Sequence, residues 1–134
     1  MKKVFFALTL TIVSISASAE GVSWKSRAYA EQINGIWSEW VVDNSFISKT
    51  DESFLLGKDG KTTYFRILGS KRLYYPDENG LTEIYAEEFK CIDQNGSVCG
   101  IRYRIYIDDY GVTQAQIYII YSNIKKLFDV TSYE

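Results

Sequence analysis

The sequence contains no histidine, two cysteines, one methionine and one proline. Without histidine, Ser-His-Asp and Cys-His catalysis, imidazole acid–base chemistry and most zinc sites are excluded. The chain also lacks a phosphate-binding loop, a dinucleotide fingerprint and a nucleophile elbow. We therefore expect a protein that is not an enzyme and that uses no cofactor and no metal.

The N-terminal segment has the pattern of a secretory signal peptide. Lys2 and Lys3 precede an apolar run, Val4–Ile15, and Ala17–Ala19 form a small-x-small cleavage signal. Cleavage after Ala19 would leave a mature chain that begins at Glu20. The short form of the signal is typical of bacteria, so the expected location is the periplasm or the medium.

Two segments are therefore expected: a cleaved signal at residues 1–19 and one domain at residues 20–134. The apolar run is shorter than the roughly 20 residues of a spanning helix, and no second run follows, so no membrane span is expected in the mature chain. Removal of the signal lowers the net charge from −2 to −4. Because the remaining basic residues are scattered, a nucleic-acid partner is not expected.

The mature chain is rich in aromatic and β-branched residues, which favour strands, and turn signals recur along it. The spacing predicts an all-β fold: an antiparallel β-sandwich or a small flattened β-barrel of about 8–10 short strands, with a β-meander in the C-terminal half. Candidate strands are Val22–Ala30, Ile36–Val42, Ser45–Lys49, Ser53–Leu56, Thr62–Leu68, Arg72–Tyr75, Thr82–Cys91, Val98–Ile107, Thr113–Tyr121 and Ile124–Thr131.

Two turns fix the register of the meander. Asp93–Gly96 and Asp108–Gly111 each suit a three-residue hairpin loop that ends on a left-handed glycine. Both registers place the same residues of Val98–Ile107 on one apolar face, together with Phe89, Cys91, Ala115, Ile117 and Ile119. A two-residue loop at Ser122–Asn123 adds Phe128 and Val130 to that face, although Lys126 falls there as well.

The cysteines, Cys91 and Cys99, lie opposite each other in this register. In an oxidising compartment such a pair predicts a disulfide. A reactive thiol pair is the alternative, but redox cysteines are usually two residues apart at the start of a helix.

The outward face of the meander collects residues that often anchor interfaces. This side of the sheet is either a binding face or an ordinary solvated surface, and on it Glu88 lies opposite Arg102. The residues of the possible binding face are Arg102, Arg104, Tyr106, Gln114, Gln116 and Tyr118.

Two tryptophans, Trp37 and Trp40, are possible aromatic anchors. In one continuous strand they fall on opposite faces, so we expect one in the core and the other exposed. The tripeptide Gly35–Trp37 resembles the Gly-x-Trp of the first strand of lipocalins. That resemblance implies a barrel that holds a small ligand.

These features favour an exported, non-catalytic binding or interaction domain with a protein or glycan partner. The alternative is a small-ligand-binding barrel. A glycoside hydrolase with a carboxylate pair is the third hypothesis. The candidate carboxylates for such a pair are Glu39, Asp43, Glu83, Glu87 and Asp108.

Glu87 falls on the inner face opposite Tyr103, which indicates a sheet edge, an error of register or a polar pocket.

Overall fold

The computed structural model describes residues 21–73 and 82–132. The expected signal peptide and its cleavage site lie outside the described residues, as does the turn around Pro76.

Within the described residues the chain forms ten strands, β1 to β10, and every pairing between them is antiparallel. The strands are β1 (Val22–Ile33), β2 (Ile36–Trp37), β3 (Val41–Val42), β4 (Phe46–Lys49), β5 (Ser53–Lys58), β6 (Lys61–Arg72), β7 (Thr82–Asp93), β8 (Val98–Ile107), β9 (Thr113–Ile120) and β10 (Ile124–Ser132).

Eight of these strands close into a barrel. From β4 to β10 each strand pairs with the next, and both β4 and β10 pair with β1. The strands β2 and β3 pair with β1 further along its length and lie outside this closed wall. The all-β prediction is confirmed, and of its two forms the barrel is the one observed, because the pairing of β10 with β1 leaves no open sheet.

The registers predicted for the meander are confirmed. Cys91 pairs with Cys99, and Ile105 pairs with Ala115. At the first turn the Asp93 N–H donates to the Ser97 carbonyl, and Gly96 has a φ of 85°. Asp93 Oδ1 accepts the backbone N–H groups of Asn95 and Ser97 at 2.9 Å, which explains why an aspartate begins this turn.

The last predicted hairpin is also confirmed. The Tyr121 N–H donates to the Ile124 carbonyl across the two-residue loop. Phe128 and Val130 are buried inside the barrel. Lys126 pairs with Ile119 and is half-buried on the same side of the sheet.

Several strand ends differ from the prediction by one to three residues, and two of the predicted divisions between strands are wrong. The separate segments Thr62–Leu68 and Arg72–Tyr75 are one strand through Arg72, because a bulge between Ile67 and Gly69 absorbs the break without ending the pairing. The predicted strand Ile36–Val42 is interrupted after Trp37. There Ser38 Oγ accepts the Glu31 N–H at 3.0 Å, so a side chain replaces the backbone acceptor.

The barrel has two unlike ends. We call the mouth the end where β1 and β7 begin and where β4 and β8 finish. The base is the other end, where the β5–β6, β7–β8 and β9–β10 turns lie. The interior is filled toward the base by an apolar core of Trp24, Tyr29, Ile47, Phe54, Leu56, Phe65, Phe89, Cys91, Cys99, Ile101, Ile117, Ile119, Phe128 and Val130.

Candidate ligand-binding site

A pocket of about 620 Å³ opens at the mouth of the barrel. This volume lies in the range of small-molecule sites, which are about 300–1,000 Å³. The pocket is lined by Gly21, Val22, Ser23, Trp24, Lys49, Phe54, Tyr85, Glu87, Phe89, Tyr103 and Ile105.

The wall of the pocket is mainly aromatic. The Trp24 and Tyr103 ring centroids are 5.1 Å apart, and Tyr85 lies 5.9 Å from Tyr103 in an edge-on arrangement. Phe54 and Phe89 meet edge-to-face at 5.1 Å. These spacings are those of favourable aromatic pairs, so the rings of the wall pack against one another.

Glu87 brings a carboxylate into this apolar surface. It pairs with Tyr103 across the β7–β8 ladder and accepts a 2.5 Å hydrogen bond from the Tyr85 hydroxyl. The hydrogen bond to Glu87, followed by burial, raises the pKa of Tyr85. Of the three interpretations of Glu87, the polar pocket is therefore the one that the geometry supports, and the predicted register was correct.

Lys49 brings the opposite charge. Its Nζ lies 5.0 Å from the Phe89 ring centroid and 5.9 Å from that of Phe54. It donates one hydrogen bond, to the Thr50 carbonyl at 3.1 Å. No carboxylate among the described side chains forms a salt bridge with this ammonium. In the part of the pocket that the structure describes, the lysine therefore lies against aromatic faces and not against a carboxylate.

The predicted binding face is brought together on the outside of the barrel. All six side chains are half-buried, and Arg104, Tyr106, Gln116 and Tyr118 contact one another. Gln116 Nε2 donates to the Tyr106 hydroxyl at 3.3 Å, the Tyr118 hydroxyl donates to Gln116 Oε1 at 3.4 Å, and the Arg104 guanidinium lies 4.5 Å from the Tyr106 ring centroid. Beneath this face Ile101, Ile117 and Ile119 are buried in the barrel, whereas Ile105 is half-buried in the pocket.

Both candidate anchors are exposed, so the prediction that one tryptophan belongs to the core was wrong. Trp37 is 43% exposed and Trp40 is 49% exposed. The break after Trp37 ends the alternation of faces on which that prediction rested. The exposed apolar residues of this region form what we call the apolar ribbon: Ile33, Ile36, Trp37, Trp40, Val41 and Val42.

The lipocalin-like tripeptide lies in this ribbon. Gly35 adopts a φ of 85° in the turn after β1, and Ile36 and Trp37 form β2 outside the closed wall. The barrel that the resemblance implied is present, but the tripeptide does not build it.

The two cysteines are direct cross-strand neighbours, but they are free thiols in this structure. Both are buried. Burial raises the pKa of Cys91 to about 12 and that of Cys99 to about 11. The folded thiols are therefore protonated at neutral pH and are poor nucleophiles.

Three of the other candidate carboxylates, Glu39, Asp43 and Asp108, lie outside the pocket lining. Asp43 forms a 2.9 Å salt bridge with Lys58 toward the base. Asp108 holds the β8–β9 turn through the N–H groups of Tyr110 and Val112. Glu39 is exposed in the break between β2 and β3, and the side chain of Glu83 lies outside the described residues. Among the lining residues that the structure describes, Glu87 is the one carboxylate.

Sequence reasoning missed most of the pocket. Alternate residues of a strand lie on the same side of the sheet. Lys49 therefore shares a side with Ile47 in β4, and Glu87 shares a side with Phe89 and Cys91 in β7. A charged residue on the apolar side of a strand was the available signal, and the prediction used it for Glu87 alone. The aromatic wall could not be recognised, because its strands meet only when the barrel closes.

Comparisons with protein-family models, with curated proteins and with solved structures gave no match for this chain. Across residues 21–73 and 82–132, no helix has the length and apolar character needed to cross a membrane. In the same residues no three cysteine, aspartate or glutamate side chains cluster as metal ligands would.

Proposed function

We propose that this protein is a non-catalytic small-ligand-binding barrel. The observation that carries the proposal is the 620 Å³ pocket at the mouth, with an aromatic wall and two charged side chains. Ligand sites are typically concave and largely apolar, with a few polar groups that orient the ligand. The arrangement at the mouth has each of these properties.

The packing below the pocket supports the same function. Phe54 and Phe65 are 1% and 2% exposed, so apolar side chains fill the described interior beneath the pocket. Among the described residues of the lining, Glu87 is the one carboxylate, whereas glycoside hydrolysis needs two carboxyl groups about 5–10 Å apart, so the described lining favours binding.

We further propose that the protein acts outside the cytoplasm, as a mature chain from Glu20 with a Cys91–Cys99 disulfide. Hydrogen-bonded and non-hydrogen-bonded residue pairs alternate along antiparallel strands. Because the Cys91–Cys99 pair lies two residues from the hydrogen-bonded Asp93–Ser97 pair, it is also at a hydrogen-bonded position. At such positions the Cα atoms are about 5.5 Å apart, which a disulfide can bridge. Intact mass of the exported protein should show the loss of residues 1–19 and of two hydrogens. A retained Met1 or two free thiols would contradict this part of the proposal.

The binding proposal is tested by filling the pocket. In Ile105→Trp an indole enters the pocket lining, so binding of the neutral dye N-phenyl-1-naphthylamine should weaken by at least about tenfold relative to wild type. Val112→Trp adds the same indole at an exposed turn position and should bind the dye as wild type does. Equal dye affinity for wild type and Ile105→Trp, in folded proteins, would place the site elsewhere.

A second candidate function is docking of a protein partner on the apolar ribbon. Its members range from 43% to 94% exposed, and exposed apolar side chains are typical of interaction sites. In this case Trp37→Ser with Trp40→Ser should abolish capture of a partner from the native host without any change in dye binding. Capture that depends instead on Tyr106 and Tyr118 would move the interface to the outward face of the meander.

A further inference from the structure

We infer that the pocket selects a carboxylate with a flat or apolar body, and that Lys49 binds its anionic group. This inference rests on the proposed function and adds the chemical class of the ligand. It starts from the two charges of the pocket, which are not equivalent.

Lys49 has unused capacity for an anion. An ammonium has three donors, and the Thr50 carbonyl takes one of them. The aromatic faces of Phe54 and Phe89 attract the charge but accept no conventional hydrogen bond, and Lys49 is half-buried. A carboxylate that enters the pocket would therefore gain charge-assisted hydrogen bonds in a partly desolvated site.

Glu87 is already engaged. Its Oε1 accepts the Tyr85 hydroxyl, and the Arg72 guanidinium lies 4.2 Å from the ring centroid of the same tyrosine. The tyrosine hydrogen bond and the nearby guanidinium both offset the negative charge at this side of the mouth. The Glu87 carboxylate is thus occupied by Tyr85, while Lys49 keeps donors for a ligand, and this difference favours an anionic ligand.

The position of Lys49 also argues against a cationic ligand. Aromatic walls can bind ammonium groups through their ring faces. Here the Lys49 ammonium already lies against Phe54 and Phe89. A second cation would meet its repulsion, so the remaining aromatic surface of Trp24 and Tyr103 is left for the uncharged body of the ligand.

The test compares three probes of one shape by calorimetry at low salt: 2-naphthylacetate, its neutral amide and the corresponding amine. Wild type should bind the carboxylate about tenfold more tightly than the amide, and the amide more tightly than the amine. In Lys49→Met the carboxylate and the amide should bind equally. Lys49→Arg should keep the preference, and so should Lys25→Met, which removes an exposed lysine of β1.

The outcomes separate the inference from the proposed function. If the dye binds but wild type prefers the amide or the amine, or binds none of the probes, the carboxylate inference is wrong and the pocket stands. A carboxylate preference that survives in Lys49→Met also overturns it. If neither the dye nor any probe binds, both proposals fail. Should Lys49→Met not fold, Lys49→Gln makes the same comparison.

Discussion

The two ends of the barrel each have a lysine over an aromatic ring, but the lysines differ in their partners. At the base, Lys58 Nζ lies 4.1 Å from the Tyr29 ring centroid and 2.9 Å from Asp43 Oδ1. At the mouth, Lys49 lies over Phe89 and forms no salt bridge with a described carboxylate. The lysine at the base is thus paired with a carboxylate, whereas the lysine at the mouth is available to a ligand.

The ion pair between Asp43 and Lys58 at the base is largely buried. The Asp43 side chain is 6% exposed and that of Lys58 is 22% exposed. Burial alone raises the pKa of Asp43, but hydrogen bonds outweigh it and lower the pKa to about 2. Lys58 Nζ and the Ser45 backbone N–H donate to this carboxylate. The ion pair therefore stabilises the folded state, while Lys49 contributes to a site.

Breaking the pair at the base should have the largest effect on stability. Asp43→Asn leaves the Lys58 ammonium partly buried without its counter-ion and should lower the free energy of unfolding by about 2 kcal/mol. Urea denaturation at pH 7 measures it. The matched control is Asp59→Asn, because that side chain is 83% exposed and lies 3.7 Å from the same Lys58 Nζ. A loss as large in the control would show that general charge balance, not the pair, is responsible.

The same pair predicts a loss of stability in acid. Unfolded Asp43 takes up a proton near pH 3.9, whereas in the folded protein it stays charged down to about pH 2. The unfolded state therefore binds the proton first. The contribution of roughly 2 kcal/mol is complete above about pH 5 and is lost as the pH falls from about 4 toward 2. Unfolding free energies from pH 7 to pH 2 should fall less steeply in Asp43→Asn, and parallel curves for the two proteins would contradict the assignment.

At the mouth the smallest effect on stability is expected. Because Lys49 forms no ion pair with a described side chain, Lys49→Met should change the free energy of unfolding by less than about 0.5 kcal/mol. The same urea titration measures this change. A loss comparable to that of Asp43→Asn would mean that Lys49 holds the fold, and the contrast between the two ends would be wrong.

The sequence predicted the C-terminal meander well because short turns fix its pairing. Asp93 and Asp108 each bind the backbone of their own turn, and every residue further along the hairpin then has a determined partner. The inner position of Glu87 followed from that register alone.

The N-terminal half was less predictable because its pairing is not set by short turns alone. Closure requires β10 to pair with β1, and no local signal links strands so distant in sequence. The break after Trp37 depends on a hydrogen bond between Ser38 and Glu31, which a pattern of apolar residues does not reveal. For these reasons the pocket, to which β1, β4 and β5 contribute, was not visible in the sequence.

The central claim is that ligands bind at the mouth and not on the outer surface. The three tryptophans report on it directly, because Trp24 lines the pocket while Trp37 and Trp40 lie on the apolar ribbon. Their indole N–H signals can be followed by two-dimensional NMR as 2-naphthylacetate is added, with assignments from single Trp→Phe variants. We predict a saturable shift of the Trp24 signal with the other two unchanged. Shifts of Trp37 and Trp40 without a shift of Trp24 would contradict the account.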